Sequence, residues 1–218
     1  MARSSQVPEN KRRKPRQARA EETVAAILEA AAQILEGGGL AAFTTNAVAE
    51  RAGVSIGTLY QYFADKNAVL HALAERELRA VLQSVAEALR SDSEPTVEGR
   101  VRAMIRAIIG AFRGRQRARK AVLQAILSQG DGGEMMSPVA AFIRHAGENI
   151  GRGPKSVFAT LSPEQIFVVS RALMGTIRAA VLEEQPFFKA RSFEDEMVRL
   201  VLAYLRAASG SGYQPSGD

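Results

Sequence analysis

Residues 44–66 constrain the fold more than any other part of the chain. Val48, Ala49, Ala52, Val54, Leu59 and Phe63 fall at spacings that two short helices bring to one side and that no strand does. Ala49 and Ala52 are small, as helix axes that cross closely require. Between the two runs stands Gly53, where the first helix must stop and the chain must turn through a left-handed backbone angle, which costs least at glycine. Ser55 then serves as the N-cap of the second helix. Ile56, Gly57, Thr58, Tyr60, Gln61 and Tyr62 are left directed away from the shared core. Gly57 costs up to about 1 kcal/mol in a helix but leaves room for close approach to another body. The pattern is a helix-turn-helix whose second helix has the tips and width to enter a major groove.

Thr44-Thr45, Ala52-Gly53-Val54-Ser55, Gly57-Thr58-Leu59-Tyr60, Tyr62-Phe63 and Lys66 stand in the order found in one family. The segment resembles the DNA-binding region of the tetracycline-repressor (TetR-like) family of bacterial regulators. With the helix before it, the resemblance covers about a quarter of the 218 residues. The remainder agrees in length and order with the family's ligand-binding and dimerisation domain but matches no motif there. The resemblance implies phosphate contacts at Tyr60, Tyr62 and Lys66, although either tyrosine also suits a packing role. Thr45 and Ser55, at helix starts, are expected to meet phosphates through hydroxyl or backbone N–H. Base edges fall to Asn46, Ile56, Gly57, Thr58 and Gln61. Gln61 can bond adenine, and Thr58 or Ile56 can touch a thymine methyl, but no residue here makes the bidentate guanine contact of arginine.

The net charge of +6 becomes informative once it is located. Residues 1–19 hold seven bases (Arg3, Lys11, Arg12, Arg13, Lys14, Arg16, Arg19) against Glu9, which accounts for all of it. Residues 20–70, which hold the helix-turn-helix, carry six acids against Arg51 and Lys66, so this region is net negative. A basic arm with Arg16 and Arg19 near its end is therefore expected to anchor on the backbone or minor groove. A merely solvated tail has the same composition.

Periodicity elsewhere is helical throughout. The expected fold is all-α, with about nine helices: an N-terminal three-helix domain carrying the helix-turn-helix, then a larger helical domain for ligand binding and dimerisation. The expected division is a disordered basic arm over 1–18, the DNA-binding domain over 19–66, the effector and dimerisation domain over 67–208 and a disordered tail over 209–218. Helix one is expected over 19–36, closed by Gly37-Gly38-Gly39, and helix four from near Asp65 to Arg90, long enough to join two domains. Later helices are expected at 97–112, 118–128 and 138–150. Two more begin at Ser162-Pro163-Glu164-Gln165, which has capping-box spacing, and at Ser192-Phe193-Glu194-Asp195, which has the related acidic form.

The last two helices are apolar on more than one face. The surplus, assigned to Ile177, Val181, Val198, Val201, Leu202 and Leu205, suits a four-helix interface with a second copy across a two-fold axis. A helix-turn-helix reader commonly works as such a pair, on half-sites roughly 34 Å apart. Met104, Ile108, Phe112, Val122, Ile126, Phe142 and Phe167 can line an apolar effector cavity, with His145 or Arg171 as its polar handle. The same residues suit plain core, and the cavity is implied by the resemblance.

Enzyme-like strings fail on context. Gly53-Val54-Ser55-Ile56-Gly57 follows a helix, not the strand that a nucleophile elbow needs, and His71 and His145 are the only histidines. The glycines at 37–39 likewise follow a helix, so they do not make a dinucleotide loop. No enzyme activity, cofactor or metal is expected. With zero cysteines, no unbroken apolar run near 18 residues and no secretory core at the N-terminus, a cytoplasmic protein without a membrane partner is expected. The expected function is a homodimeric repressor on a palindromic operator in double-stranded DNA, released by a small apolar or amphipathic effector. The alternative is a sequence-indifferent nucleic-acid-binding or helical interaction protein driven by the basic arm.

Overall fold

The computed structural model describes residues 13–90, 96–112, 114–128 and 161–209. Among these the protein is all-α. Its helices are α1 (Arg13–Ala42), α2 (Thr45–Ala52), α3 (Ile56–Tyr62), α4 (Lys66–Arg90), α5 (Val97–Ala111), α6 (Gln116–Ser128), α7 (Pro163–Leu182) and α8 (Arg191–Ser209), with a 3-10 turn at Pro186–Lys189. The expected helix over 138–150, residues 1–12 of the arm and the tail from 210 lie outside the described residues. The chain divides into two compact units between Leu73 and Ala74.

In the first unit, α1 starts at Arg13, ahead of the expected Arg19. Residues 13–18, expected as disordered arm, are therefore helical. Lysine, arginine, glutamine and alanine are good helix formers, and Pro15 sits in the first turn, where its missing N–H has no intrahelical partner to lose. Gln17 donates to the Glu21 carboxylate at 3.1 Å on the exposed side. The far end breaks at Gly39 (φ 62°, ψ −161°), after which one more turn is closed by Phe43 N–H on Leu40 C=O. A Cβ at Gly38 would lie 2.4 Å from that of Ala42, so this tight approach needs a glycine. Ile27, Leu28, Ala31 and Leu35 of α1 are buried, as are Phe43, Val48, Ala49, Leu59, Phe63, Val69 and Leu70.

In the second unit, Val101, Ile105 and Ile109 of α5, Leu173 and Ile177 of α7, and Met197, Val198, Val201 and Leu205 of α8 form one core with Phe188 and Phe193. The capping box at α7 forms as its spacing predicts: Ser162 Oγ accepts from Gln165 N–H, and Gln165 Oε1 accepts from Ser162 N–H at 2.9 Å. The one expected at Ser192 does not, because α8 already begins at Arg191. The acids there turn inward instead. Glu194, 7% exposed, accepts from Arg106 Nη2 at 2.8 Å and Nε at 3.3 Å, and Arg102 donates to both Glu194 and Asp195. Hydrogen bonding from Arg106 holds the Glu194 carboxyl below the usual range against the opposing effect of burial, and Arg102 adds to it.

Of the residues expected at the two-fold interface, Ile177, Val198, Val201, Leu202 and Leu205 are buried in the subunit's own core, and Val181 is half-buried against it. The exposed large apolar side chains of α7 and α8 are Phe167, Val168 and Leu200. Of the expected cavity residues, Ile108 is core, Met104 and Phe112 pack against it, and Val122 is buried on α6. Phe167 is 57% exposed, with the Arg171 guanidinium 5.0 Å from its ring centre in a cation–π contact. Phe142, His145 and the side chain of Ile126 lie outside the described residues.

By length and composition, residues 17–42 of α1 and all of α7 pass as membrane-crossing helices, although neither is an unbroken apolar run. Each instead gives its apolar stripe to a core: Ile27, Ala31 and Leu35 from α1, and Val169, Leu173 and Ile177 from α7.

Candidate nucleic-acid interface

Helices α2 and α3 are defined by their caps. Thr44 caps α2, which starts at Thr45: the Thr44 backbone is extended and its hydroxyl accepts from Ala47 N–H at 3.1 Å. Gly53 closes α2 in the left-handed region (φ 69°, ψ 27°), with its N–H on Glu50 C=O and that of Val54 on Ala49 C=O, the paired bonds of a Schellman turn. Ser55 caps α3, its Oγ accepting from Thr58 N–H at 3.0 Å.

These caps aim α3. Leu59 is fully buried and Phe63 nearly so, which turns the opposite side of the helix outward. Ile56, Gly57, Tyr60, Gln61 and Tyr62 are exposed there, Thr58 is half-buried, and Asn46 and Lys66 are exposed nearby. Tyr60, 52% exposed, has its hydroxyl 3.3 Å from the Thr45 hydroxyl. The Thr58 hydroxyl lies 2.8 Å from Ser55 Oγ. Neither hydroxyl pairing is readable from helical periodicity, because the first joins residues fifteen apart and the second depends on the Ser55 rotamer. A Cβ built on Gly57 meets nothing nearer than Ser55 Oγ at 3.8 Å, so no neighbour within the chain demands a glycine there.

Arg19 is exposed on α1, and Arg16 lies in its first turns with a side chain outside the described ones. The structure thus forms two hydroxyl pairs, Thr45 with Tyr60 and Ser55 with Thr58, and leaves Gln61 and Ile56 exposed on the same helix. Among the described residues no group of three or more His, Asp or Glu is arranged to hold a metal ion.

Residues 27–73 match the model of the tetR family of bacterial regulatory proteins. Solved structures share the fold at low sequence identity. A TetR-family transcriptional regulator from Streptomyces coelicolor is 24% identical with a TM-score of 0.57, over 88% of this chain and 99% of its own. A TetR family transcription regulator from Marinobacter aquaeolei VT8 is 14% identical with a TM-score of 0.58, over 86% and 97%. The multidrug binding protein EbrR, complexed with ethidium, is 18% identical with a TM-score of 0.60, over 84% and 98%. No curated protein matches by sequence. With a helix-turn-helix formed and capped within the matched residues, residues 27–73 are similar to the N-terminal region of the tetR family of bacterial regulatory proteins, and the described helices share the fold of TetR-family regulators.

Proposed function

We propose that the protein is a homodimeric repressor that binds a palindromic operator through α3 and leaves it when a small apolar or amphipathic effector binds. Residues 19–66 read DNA and residues 67–208 hold the effector and the second copy. Gly57 carries the reading: an exposed helical glycine with open space at its Cβ has no function in the chain's own packing, and it is explained by a duplex at close range. Around it, Ile56, Thr58, Gln61 and Asn46 face base edges, and Thr45, Ser55, Tyr60, Tyr62 and Lys66 face the backbone, with Arg16 and Arg19 beside it.

The dimer is assigned to the exposed Phe167, Val168 and Leu200 in place of the buried positions. The effector site is assigned to the neighbourhood of Met104, Ile108, Phe112 and Val122. The fold shared with a protein whose structure holds ethidium supports this ligand class. Effector binding must favour a state that DNA does not, since a ligand without differential affinity shifts nothing. Helix α4, with residues in both units, is the covalent route for that change. Such a regulator acts in the cytoplasm.

Selection from random duplexes tests the reading. The repressor yields one palindrome, bound at least about a thousandfold tighter than random DNA at physiological salt. Binding without sequence preference would establish the arm-driven alternative instead. Removing residues 1–12, which spares α1, should lower the salt slope by about 0.9 for each phosphate that the arm had neutralised.

A further inference from the structure

The first turn of α3 offers a groove almost no side-chain hydrogen-bonding group. Ile56 is apolar and exposed, and Gly57 has no side chain. Thr58 has one hydroxyl, and it is engaged inside the protein: its Oγ1 lies 2.8 Å from Ser55 Oγ, the same oxygen that accepts the Thr58 N–H at 3.0 Å. Carrying that hydroxyl to a base would break the bond to Ser55, whose oxygen also caps the helix. With Oγ1 held there, the methyl is the heavy atom left on the Thr58 Cβ to meet a partner.

Resting on the assignment of α3 as the DNA reader, we infer that its first turn recognises thymine through the 5-methyl group. The Thr58 methyl and the Ile56 side chain make apolar contacts, and Gly57 between them lets the helix approach closely. Hydrogen-bonded readout is left to Gln61 and Asn46. A thymine methyl is the only apolar group that a base pair displays in the major groove, which matches a first turn that presents Ile56 and a threonine whose hydroxyl is paired with Ser55.

The test replaces each thymine of the selected operator in turn by deoxyuridine, which removes only the methyl, and measures the affinity of wild type, Thr58→Val, Thr58→Ser and Ile56→Ala. Removing one buried methyl weakens binding about fourfold. Wild type should show this effect at one or more thymines per half-site. Thr58→Val, which keeps the methyl, should retain the sensitivity; Thr58→Ser, which keeps the hydroxyl, should erase it at one position, and Ile56→Ala at another. Random duplex and a melting curve for each variant separate general binding or folding defects from a change in reading. Uracil tolerated at every position of a genuinely selected operator overturns the inference and leaves the DNA reader standing, as does sensitivity absent in Thr58→Val but kept in Thr58→Ser. Failure to select any operator overturns the DNA reader itself, and the inference with it.

Discussion

The Tyr60 hydroxyl lies 3.3 Å from the Thr45 hydroxyl, so the exposed aromatic tip of α3 is tied to the first turn of α2. A long hydrogen bond on the surface contributes little to stability. Tyr60→Phe should therefore change unfolding free energy by less than about 0.5 kcal/mol in denaturant titrations. If the hydroxyl also meets a phosphate, the same variant weakens operator and random DNA by a similar factor, because phosphate contacts carry no sequence information. A loss confined to the operator would move Tyr60 from backbone to base.

Gly53 and Gly57 should respond oppositely to alanine. At Gly53 the left-handed backbone makes a Cβ cost about 1 kcal/mol, read as a lower melting temperature. At Gly57 the backbone is ordinary and the space open, so alanine should raise helix stability by up to about 1 kcal/mol. DNA affinity should nevertheless fall in Gly57→Ala, and an unchanged affinity would remove the main support for close approach.

The Glu194 network predicts an acid-sensitive second unit. Arg106 and then Arg102 hold the Glu194 carboxyl below its ordinary value of 4.5 in the folded state. A carboxylate whose folded value is depressed contributes stability that is complete above the ordinary value and is lost as pH falls through the folded one. Denaturant midpoints should thus drop below about pH 4.5. Glu194→Gln should cost about 1–3 kcal/mol at neutral pH, by leaving two guanidiniums against a neutral amide, and should flatten that acid limb.

Glu184 closes α7 in the left-handed region (φ 55°), with its N–H on Val181 C=O and that of Gln185 on Ala180 C=O. This is the same Schellman turn that Gly53 makes for α2, built on a residue with a Cβ. Lys120 pairs with its carboxylate, but the pair is exposed and contributes little. Glu184→Gly should raise the melting temperature by about 2–4 °C. A lower value would show that the ion pair outweighs the relief of strain.

Phe167 and Leu200 are the exposed apolar side chains through which the proposed dimer is tested. Phe167→Glu and Leu200→Glu should shift the sedimentation coefficient toward a monomer while leaving helicity intact. They should also lower operator affinity far more than affinity for a single half-site. A variant that remains a dimer assigns the interface elsewhere.

The helix-turn-helix is legible residue by residue because its determinants are local. A glycine that must turn, a serine that must cap and a 3.6-residue spacing around Leu59 act within one or two turns of chain. The start of α1 is not legible, because its basic first turns have the composition of a disordered arm and the propensity of a helix together. Ser192 misleads for a related reason. Its spacing to the acids satisfies a capping pattern, but Glu194 and Asp195 are drawn to Arg102 and Arg106, about ninety residues away in the chain.

Local chemistry in the chain was thus enough to determine the all-α class, the turn at Gly53 and the outward side of α3. Tertiary structure alone decided which apolar side chains of α7 and α8 are core and which are surface. Ile177, Val198 and Val201 are buried while Phe167, Val168 and Leu200 are not. All are equally apolar, and periodicity orders them around a helix without saying which neighbour covers each side. Burial depends on where α5 and the Pro186–Lys189 turn meet that surface, and only the folded arrangement contains that information.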